Sequence, residues 1–400
     1  MRILHTADWH LGRKTDDLDR LEEQRNILKQ ITKIARDEAV DMVIIAGDIY
    51  EQFIPSADAE NLFYQTISEL SNNGDCAVVA IAGNHDEPKR MSNAQVFASR
   101  FGIYLVGYYD EIPMNPLNKD KNIFATEVGK GYIKFETKTG EKCTVACLPY
   151  PSFYRYKCTK IEDQTLPEKF REWLGEATSK FMQGENNILV SHLQTIGASV
   201  KTTNHNDYYS EYTPFTAINK DVLANCGASY VALGHLHHNI VVDDEAHIYY
   251  PGSIINTHFI ESYDTDNGVY VAEIVGGKVK NVDFKKINCK KLTFVSAKSL
   301  DEVDAFCKSH VDDYIKAIID GVKYVDFEDV KKIKADNPNL VTLGVITEEA
   351  KELANVETKK DLTTGEIFDK YCLSKTGEMP DAKVKELFLE LMGESVYETN

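Results

Sequence analysis

Residues 77–88 read Ala-Val-Val-Ala-Ile-Ala-Gly-Asn-His-Asp-Glu-Pro. A short apolar run rich in valine stops at Gly83 and gives way to an amide, an imidazole and a carboxylate. A run this short, bounded by glycine, reads as a buried strand. The same pattern recurs outward in both directions. Arg2 to Thr6 leads to Asp8 and His10, and Met42 to Ala46 leads to Gly47-Asp48. Further on, Ile188 to Val190 leads to Ser191-His192, and Tyr230 to Leu233 leads to Gly234-His235-Leu236-His237. Helical segments lie between, such as Leu21 to Ala39, with Leu21, Ile27, Leu28, Ile31 and Ile34 near helical spacing. Alternating strands and helices predict an α/β layered fold, whose sites gather at the carboxyl ends of the strands.

From Tyr249 to Lys286 the text is strand-like, with a hairpin signal at Gly276-Gly277, and predicts the second half of a sandwich. Residues 291–345 read as separate: the strand KLTFV, a capping box Ser299–Glu302 opening a helix with Leu300, Val303, Phe306, Cys307 and His310 inward, and a strand LVTLGVI. Thr347 to Asp361 reads as a charged linker or a solvated helix. Two amphipathic helix patterns end the chain, Ile367-Phe368-Tyr371-Cys372 and Val384-Leu387-Phe388-Leu391. The expected domains are therefore 1–288, 289–346 and 347–400.

A chain of 400 residues exceeds one compact core. No stretch approaches the ~20 consecutive apolar residues of a membrane span. The opening MRILHTAD meets a histidine and an aspartate before an apolar run can form, so no signal peptide is read and a cytoplasmic location is expected. Eight cysteines without a C-x-x-C pair read as reduced thiols. The balance of 45 basic to 63 acidic residues, net −18, excludes a generally basic surface for a polyanion. Positive charge for nucleic acid must come from metal ions, a local patch or a partner.

The polar residues at the strand ends are Asp8, His10, Asp48, Asn84, His85, His192, His235 and His237. Carboxylate, imidazole and amide oxygen suit a hard-to-borderline cation, and the lack of thiolates favours manganese over structural zinc. Two metals ~3.5–4 Å apart can activate a water and stabilise both oxygens of a phosphoryl displacement. Asp48 is the candidate for a bridging carboxylate. Each pair alone reads as loop polarity. Five in series, each ending an apolar strand, read as a two-metal centre.

The ordered set D-x-H, G-D, G-N-H-D, S-H and G-H-x-H resembles the calcineurin-like metallophosphoesterase superfamily. Within it, HTADWHLG, RLEEQ, AGDIYE, AGNHDEP, SHL, YVALGHLH and YYPGS are similar to the SbcD family, the nuclease subunit of bacterial SbcCD complexes. The match is strongest over 1–260 and weak beyond 290. It implies a four-layer β-sandwich flanked by helices, a small α+β capping domain and C-terminal helices. It also implies one metal held by Asp8, His10, Asp48 and His237, and a second held by Asp48, Asn84, His192 and His235. Both are expected to be Mn2+, with Mg2+, Fe2+ or Zn2+ as alternatives set by availability. His85 matches the family's catalytic histidine, suited to protonate or stabilise a leaving oxygen. Asp86 is placed to orient that imidazole or to serve the turn.

Arg13, Lys14, Lys89 and Arg90 flank the metal loops and are candidates for DNA phosphate contacts, with Arg155, Tyr156 and Lys157 weaker. His5 reads as a core histidine. The resemblance implies exonuclease action on duplex ends, endonuclease action on single strands and hairpins, and a role in DNA repair, recombination and replication. It further implies a coiled-coil ATPase partner of the SbcC type docking on Val384, Leu387, Phe388 and Leu391, and a homodimer within a heterotetramer. A phosphatase on the same core is the competing reading. It lacks support in GDIYE and GNHDE, where serine/threonine phosphatases carry an arginine after G-D and a GNHE.

Overall fold

The computed structural model describes residues 1–400 except 17, 111, 113–118, 153–164, 197–216, 258, 260–265, 323, 348–364, 366–367, 370, 374–378 and 392–400. It forms two compact units, Met1–Phe294 with His310–Lys316, and Val295–Ser309 with Ala317–Asn400.

The first unit begins with four parallel strands: β1 (Arg2–Thr6), β2 (Met42–Ile45), β3 (Ala77–Ile81) and β4 (Ile103–Val106). Helices α1 (Leu21–Asp37) and α2 (Ala57–Ser71) cross between them. A second sheet follows from β5 (Ile123–Gly129), β6 (Tyr132–Thr137), β7 (Lys142–Leu148), β8 (Asn186–His192), β9 (Tyr230–Gly234), β10 (Ile240–Asp243) and β11 (Ile248–Tyr250). Its order is β10-β11-β9-β8-β7-β6-β5, and α3 (Leu166–Thr178) lies between β7 and β8 in the chain.

The hairpin β12 (Gly268–Val275) and β13 (Lys278–Lys286) corrects one expectation. It extends the first sheet, with β12 antiparallel to β1, rather than completing the second. Its period-2 pattern suits that edge. Val269 and Val271 join the core shared with α1 and α2, while Tyr270, Ala272 and Ile274 join the core between the sheets.

That alternation produces four layers. Ile3, Met42, Ile44, Val79 and Ile81 meet Phe135, Val145, Ile188, Val190 and Ala232 between the sheets. Leu4, Val43, Ile45 and Val78 turn outward onto Ile27, Leu28, Ile31, Leu62 and Phe63 of the helices. On the far side Leu189, Val231 and Leu233 pack on Phe170, Trp173 and Leu174. Both faces of the central strands are dry, which is why they read as continuous apolar runs rather than alternating ones. Removing one such side chain, as in Ile44→Ala, costs about 2–5 kcal/mol.

The second unit is α+β, built on a sheet of order β14-β15-β16: β14 (Leu292–Ala297), β15 (Tyr314–Val322) and β16 (Leu340–Thr347), with α4 (Leu300–Ser309) and α5 (Phe327–Asp336). Val303 and Cys307 of α4 are buried, whereas Phe306 and His310 are half-buried and His310 follows the last helical residue. The expected capping box is half formed. Ser299 Oγ accepts the Glu302 N–H at 3.3 Å, but the Glu302 carboxylate accepts the Lys298 N–H at 2.8 Å instead of that of Ser299. On the last helix, α6 (Ala382–Leu391), Val384 is exposed and Phe388 stacks on Phe368 with ring centroids 4.0 Å apart. The side chains of Leu387 and Leu391, and nearly all of the expected linker, lie outside the described residues. Among the described residues no helix is long and apolar enough to cross a membrane.

Candidate metal centre

The loops leaving β1, β2, β3, β8 and β9 converge, and their backbones are unusual. Asp8 (φ 52°), His10 (φ 45°), Asp48 (φ 48°) and His235 (φ 105°) all have positive φ. For residues with a Cβ this costs about 1–3 kcal/mol each, and the surrounding structure must over-determine it. Here the restraint is hydrogen bonding. Asp8 N–H donates to Gly47 O and His10 N–H to Asp48 O, each at 3.0 Å. The Asp8 carboxylate accepts the His235 N–H at 3.1 Å through both oxygens, and Ser253 Oγ donates to Asp8 O at 2.8 Å. Two glycines make room for ligands: a Cβ at Gly47 (φ +90°) would strike the His192 ring, and one at Gly83 would strike the Asp48 carboxylate.

The side chains of Asp8, His10 and His237 offer ligand atoms within 4.8 Å of one another, as do those of Asp8, Asp48 and His192. Asp48 Oδ2 lies 3.6 Å from His10 Nε2 and 3.4 Å from His192 Nε2, between the two clusters. Asn84 Oδ1 is 3.0 Å from His192 Nε2 and 2.9 Å from His235 Nδ1. His10 Nε2 and His237 Nε2 face each other at 3.0 Å. The structure thus brings together all seven residues expected as ligands.

The donor set tests whether a cation fits. His192 Nδ1–H donates to Ala46 O at 2.7 Å, so its Nε2 faces the Asn84 and Asp48 oxygens, two acceptors. Something positive must sit among three lone pairs. In the metal-free chain it is a proton: burial works to lower the His192 pKa, but Asp48 outweighs it and lifts the imidazole to about 9. A divalent cation satisfies the same atoms without the proton, and the site fits one. Burial, helped by Asp48, pushes the Asp8 carboxyl up to about 7. Burial also works to raise Asp48, but His192 and His10 hold it well below the usual carboxylate range. His235 falls to about 4 and His237 well below its ordinary value, each chiefly from burial and then from a neighbouring histidine. Neutral His235 and His237 beside an ionised Asp48 are in the protonation states metal ligation requires. His192 must first give up a proton, as must His10, whose pKa burial works to lower but Glu51 and Asp48 raise.

His85 donates its Nδ1–H to the Glu51 carbonyl at 2.8 Å, and its backbone N–H to Asp48 Oδ1 at 2.8 Å. The orienting hydrogen bond on the ring therefore comes from a backbone oxygen. Asp86, for which the sequence left open orienting that ring or serving the turn, is buried and accepts three backbone N–H groups: Gly83 at 2.8 Å, Tyr50 at 2.9 Å and Ile49 at 3.1 Å. It ties the G-D loop to the G-N-H loop. The reason is local: a carboxylate next to a turn lies close to the turn's unpaired N–H groups.

Glu51 is the site residue the sequence reading left without a role. Its carboxylate lies 3.0 Å from His10 Nδ1 and accepts Arg13 Nη1 at 3.0–3.1 Å. Its position three residues after Asp48 was the available signal.

Of the DNA-contact candidates, Arg13 is spent inside the fold, on Glu51 and, through Nη2, on Thr257 O at 3.2 Å. Arg90 pairs with Glu60 at 2.8 Å, and Lys14 and Lys89 are exposed. His5 is a satisfied core histidine, 3.1 Å from both Tyr230 Oη and Leu233 O. Arg155, Tyr156 and Lys157 lie outside the described residues.

Strand-end ligands on a two-sheet, four-layer frame define a metallophosphoesterase. Residues 1–239 match the calcineurin-like phosphoesterase family, and the chain belongs to it. Over nearly its full length it is similar to the SbcD subunit of the SbcCD nuclease of Bacillus subtilis (strain 168), 29% identical with 98% of this chain and 97% of that one aligned. The protein of the same name from Staphylococcus epidermidis (strain ATCC 12228 / FDA PCI 1200) is 26% identical over 97% of this chain and 98% of that one. Similar solved structures include TT1561 of Thermus thermophilus (10% identity, TM-score 0.37, 71% of this chain and 98% of that one). A dimetal phosphatase from Danio rerio gives 13% identity, TM-score 0.40, and 72% and 96% coverage.

Proposed function

We propose that this chain is the nuclease subunit of an SbcCD-type complex, hydrolysing DNA phosphodiesters with two divalent cations, manganese by preference. The carrying observation is the lone-pair cluster of Asp8, His10, Asp48, Asn84, His192, His235 and His237, in a chain similar end to end to SbcD proteins. Asp8, His10, Asp48 and His237 would hold one ion, and Asp48, Asn84, His192 and His235 the other. Bound there, the ions supply Lewis-acid charge for the phosphodiester and lower the pKa of a water. His85 assists the leaving group. With Nδ1–H fixed on the Glu51 carbonyl, its proton exchange runs through Nε2. Lys14 and Lys89 contact phosphate without reading sequence. The second unit selects DNA ends and hairpins, and α6 docks a coiled-coil ATPase, which offsets the net charge of −18 by supplying much of the DNA grip. Exonuclease action on duplex ends, endonuclease action on single strands and hairpins, a role in repair, recombination and replication, a cytoplasmic location and a homodimer within a heterotetramer complete the reading.

The test is cleavage of an end-labelled duplex and a hairpin oligonucleotide with manganese, magnesium or chelator, with and without an SbcC-type ATPase and ATP. Manganese-dependent cutting that the partner enhances supports the proposal. A metal-loaded protein that hydrolyses phosphomonoesters and leaves both DNAs intact overturns it in favour of a phosphatase.

A further inference from the structure

The loop carrying Asp8 and His10 is threaded through two left-handed residues, and one side chain outside the ligand set grips it. Gln24 sits on α1, fully buried. Its Nε2 donates to the Trp9 carbonyl at 2.9 Å and to the His10 carbonyl at 2.7 Å, and its Oε1 accepts the Gly12 N–H at 3.0 Å. Two backbone acceptors and one backbone donor meet two donors and one acceptor. Among side chains of this size only a carboxamide has that polarity. A glutamate would put an oxygen against two carbonyl oxygens. A methionine of similar length would leave the Trp9 carbonyl and the Gly12 N–H unpaired and the His10 carbonyl held only by the Arg13 N–H at 3.0 Å.

We infer that Gln24 is a positioning residue of the metal centre: by clamping the backbone from Trp9 to Gly12 it fixes where Asp8 and His10 present their ligand atoms. The inference rests on the proposed metal-binding role of those two residues. The grip lies on the His10 carbonyl itself, and His10 Nε2 is the atom that faces His237 and Asp48. A shift of a few tenths of an ångström at that carbonyl moves a ligand nitrogen by a similar amount. Groups that orient metal ligands from one step away typically set metal affinity by ~10–100-fold. Gln30, on the same helix, provides the contrast. Its carboxamide also bridges backbone, to Asn288 O at 3.0 Å and Asn288 N at 2.9 Å, but it touches no ligand loop.

The test measures Mn2+ binding by calorimetry on the full chain carrying Gln24→Glu, Gln24→Met or Gln30→Met, with thermal unfolding in chelator alongside. Both Gln24 variants are expected to fold and to bind the weaker-held ion at least about tenfold less tightly, while Gln30→Met binds as wild type. Folded Gln24 variants with Mn2+ affinity within about twofold of wild type overturn the inference, as does failure of both to fold, which makes Gln24 a stability residue only. Because the readout is metal binding, a wild-type chain that binds Mn2+ and cuts no DNA refutes the nuclease proposal and leaves this one standing.

Discussion

Asp86 separates a structural from a catalytic reading of the G-N-H-D loop. Its carboxylate is buried and accepts the N–H groups of Gly83, Tyr50 and Ile49 at 2.8, 2.9 and 3.1 Å. Asp86→Ala strands three buried donors, each worth about 1–3 kcal/mol. Water entering the vacated space recovers part of that sum, so a loss of about 3–5 kcal/mol is expected. Asp86→Asn keeps an oxygen for Gly83 and Ile49 but turns an amide nitrogen toward the Tyr50 N–H, and is expected to lose about 1–3 kcal/mol. Urea unfolding of the chelated protein, followed by tryptophan fluorescence, reads this in the first unit, because Trp9 and Trp173 both lie there. The His85 ring keeps its Glu51 carbonyl in either variant, so folded Asp86→Asn should cleave DNA far better than His85→Ala. The reasoning is refuted if Asp86→Ala loses less than about 1 kcal/mol, or if Asp86→Asn keeps its stability yet is as inactive as His85→Ala.

His85→Ala is expected to lower kcat by about 10²–10⁴-fold, the usual worth of a positioned acid or base. Mn2+ binding should stay near wild type, whereas Asp48→Ala or His192→Ala lose both, and normal cutting by His85→Ala would remove its catalytic assignment. The His192 imidazole, lifted to about 9 by Asp48 against its burial, carries a proton at pH 7.5 in the metal-free protein. Its raised folded pKa stabilises the metal-free protein fully below the ordinary value of 6.5, and that stabilisation is lost as pH rises through about 9. Mn2+ binding at pH 7.5 must therefore expel that proton, read as a dependence of calorimetric heat on buffer ionisation enthalpy that fades above pH about 9. Heats identical across buffers would contradict this. A chain ending at Lys360 is expected to lose co-purification with the ATPase partner, and unchanged binding would move the docking surface elsewhere.

The apolar runs that end at Asp8, Asp48, Asn84, His192 and His235 were legible as buried strands, because a strand packed on both faces shows its burial as an unbroken run of apolar residues. The candidate ligands that the structure draws together were legible for a related reason: polar side chains of that chemistry, placed where such runs stop, are suited to hold a cation. Composition likewise excluded a generally basic surface, and among the described residues no helix is long and apolar enough to cross a membrane. Tertiary structure decided what depends on which backbone group lies nearest. The β12–β13 hairpin joined the first sheet, because pairing partners are chosen by shared cores and not by order in the chain. Arg13 turned to Glu51 and Thr257 O, and Asp86 to three N–H groups. His85 took its orientation from a carbonyl, and Gln24 reached three residues of a loop more than ten positions away. Each of these is a contact made by a few ångströms of folded geometry, and one-dimensional spacing carries no distance across a fold.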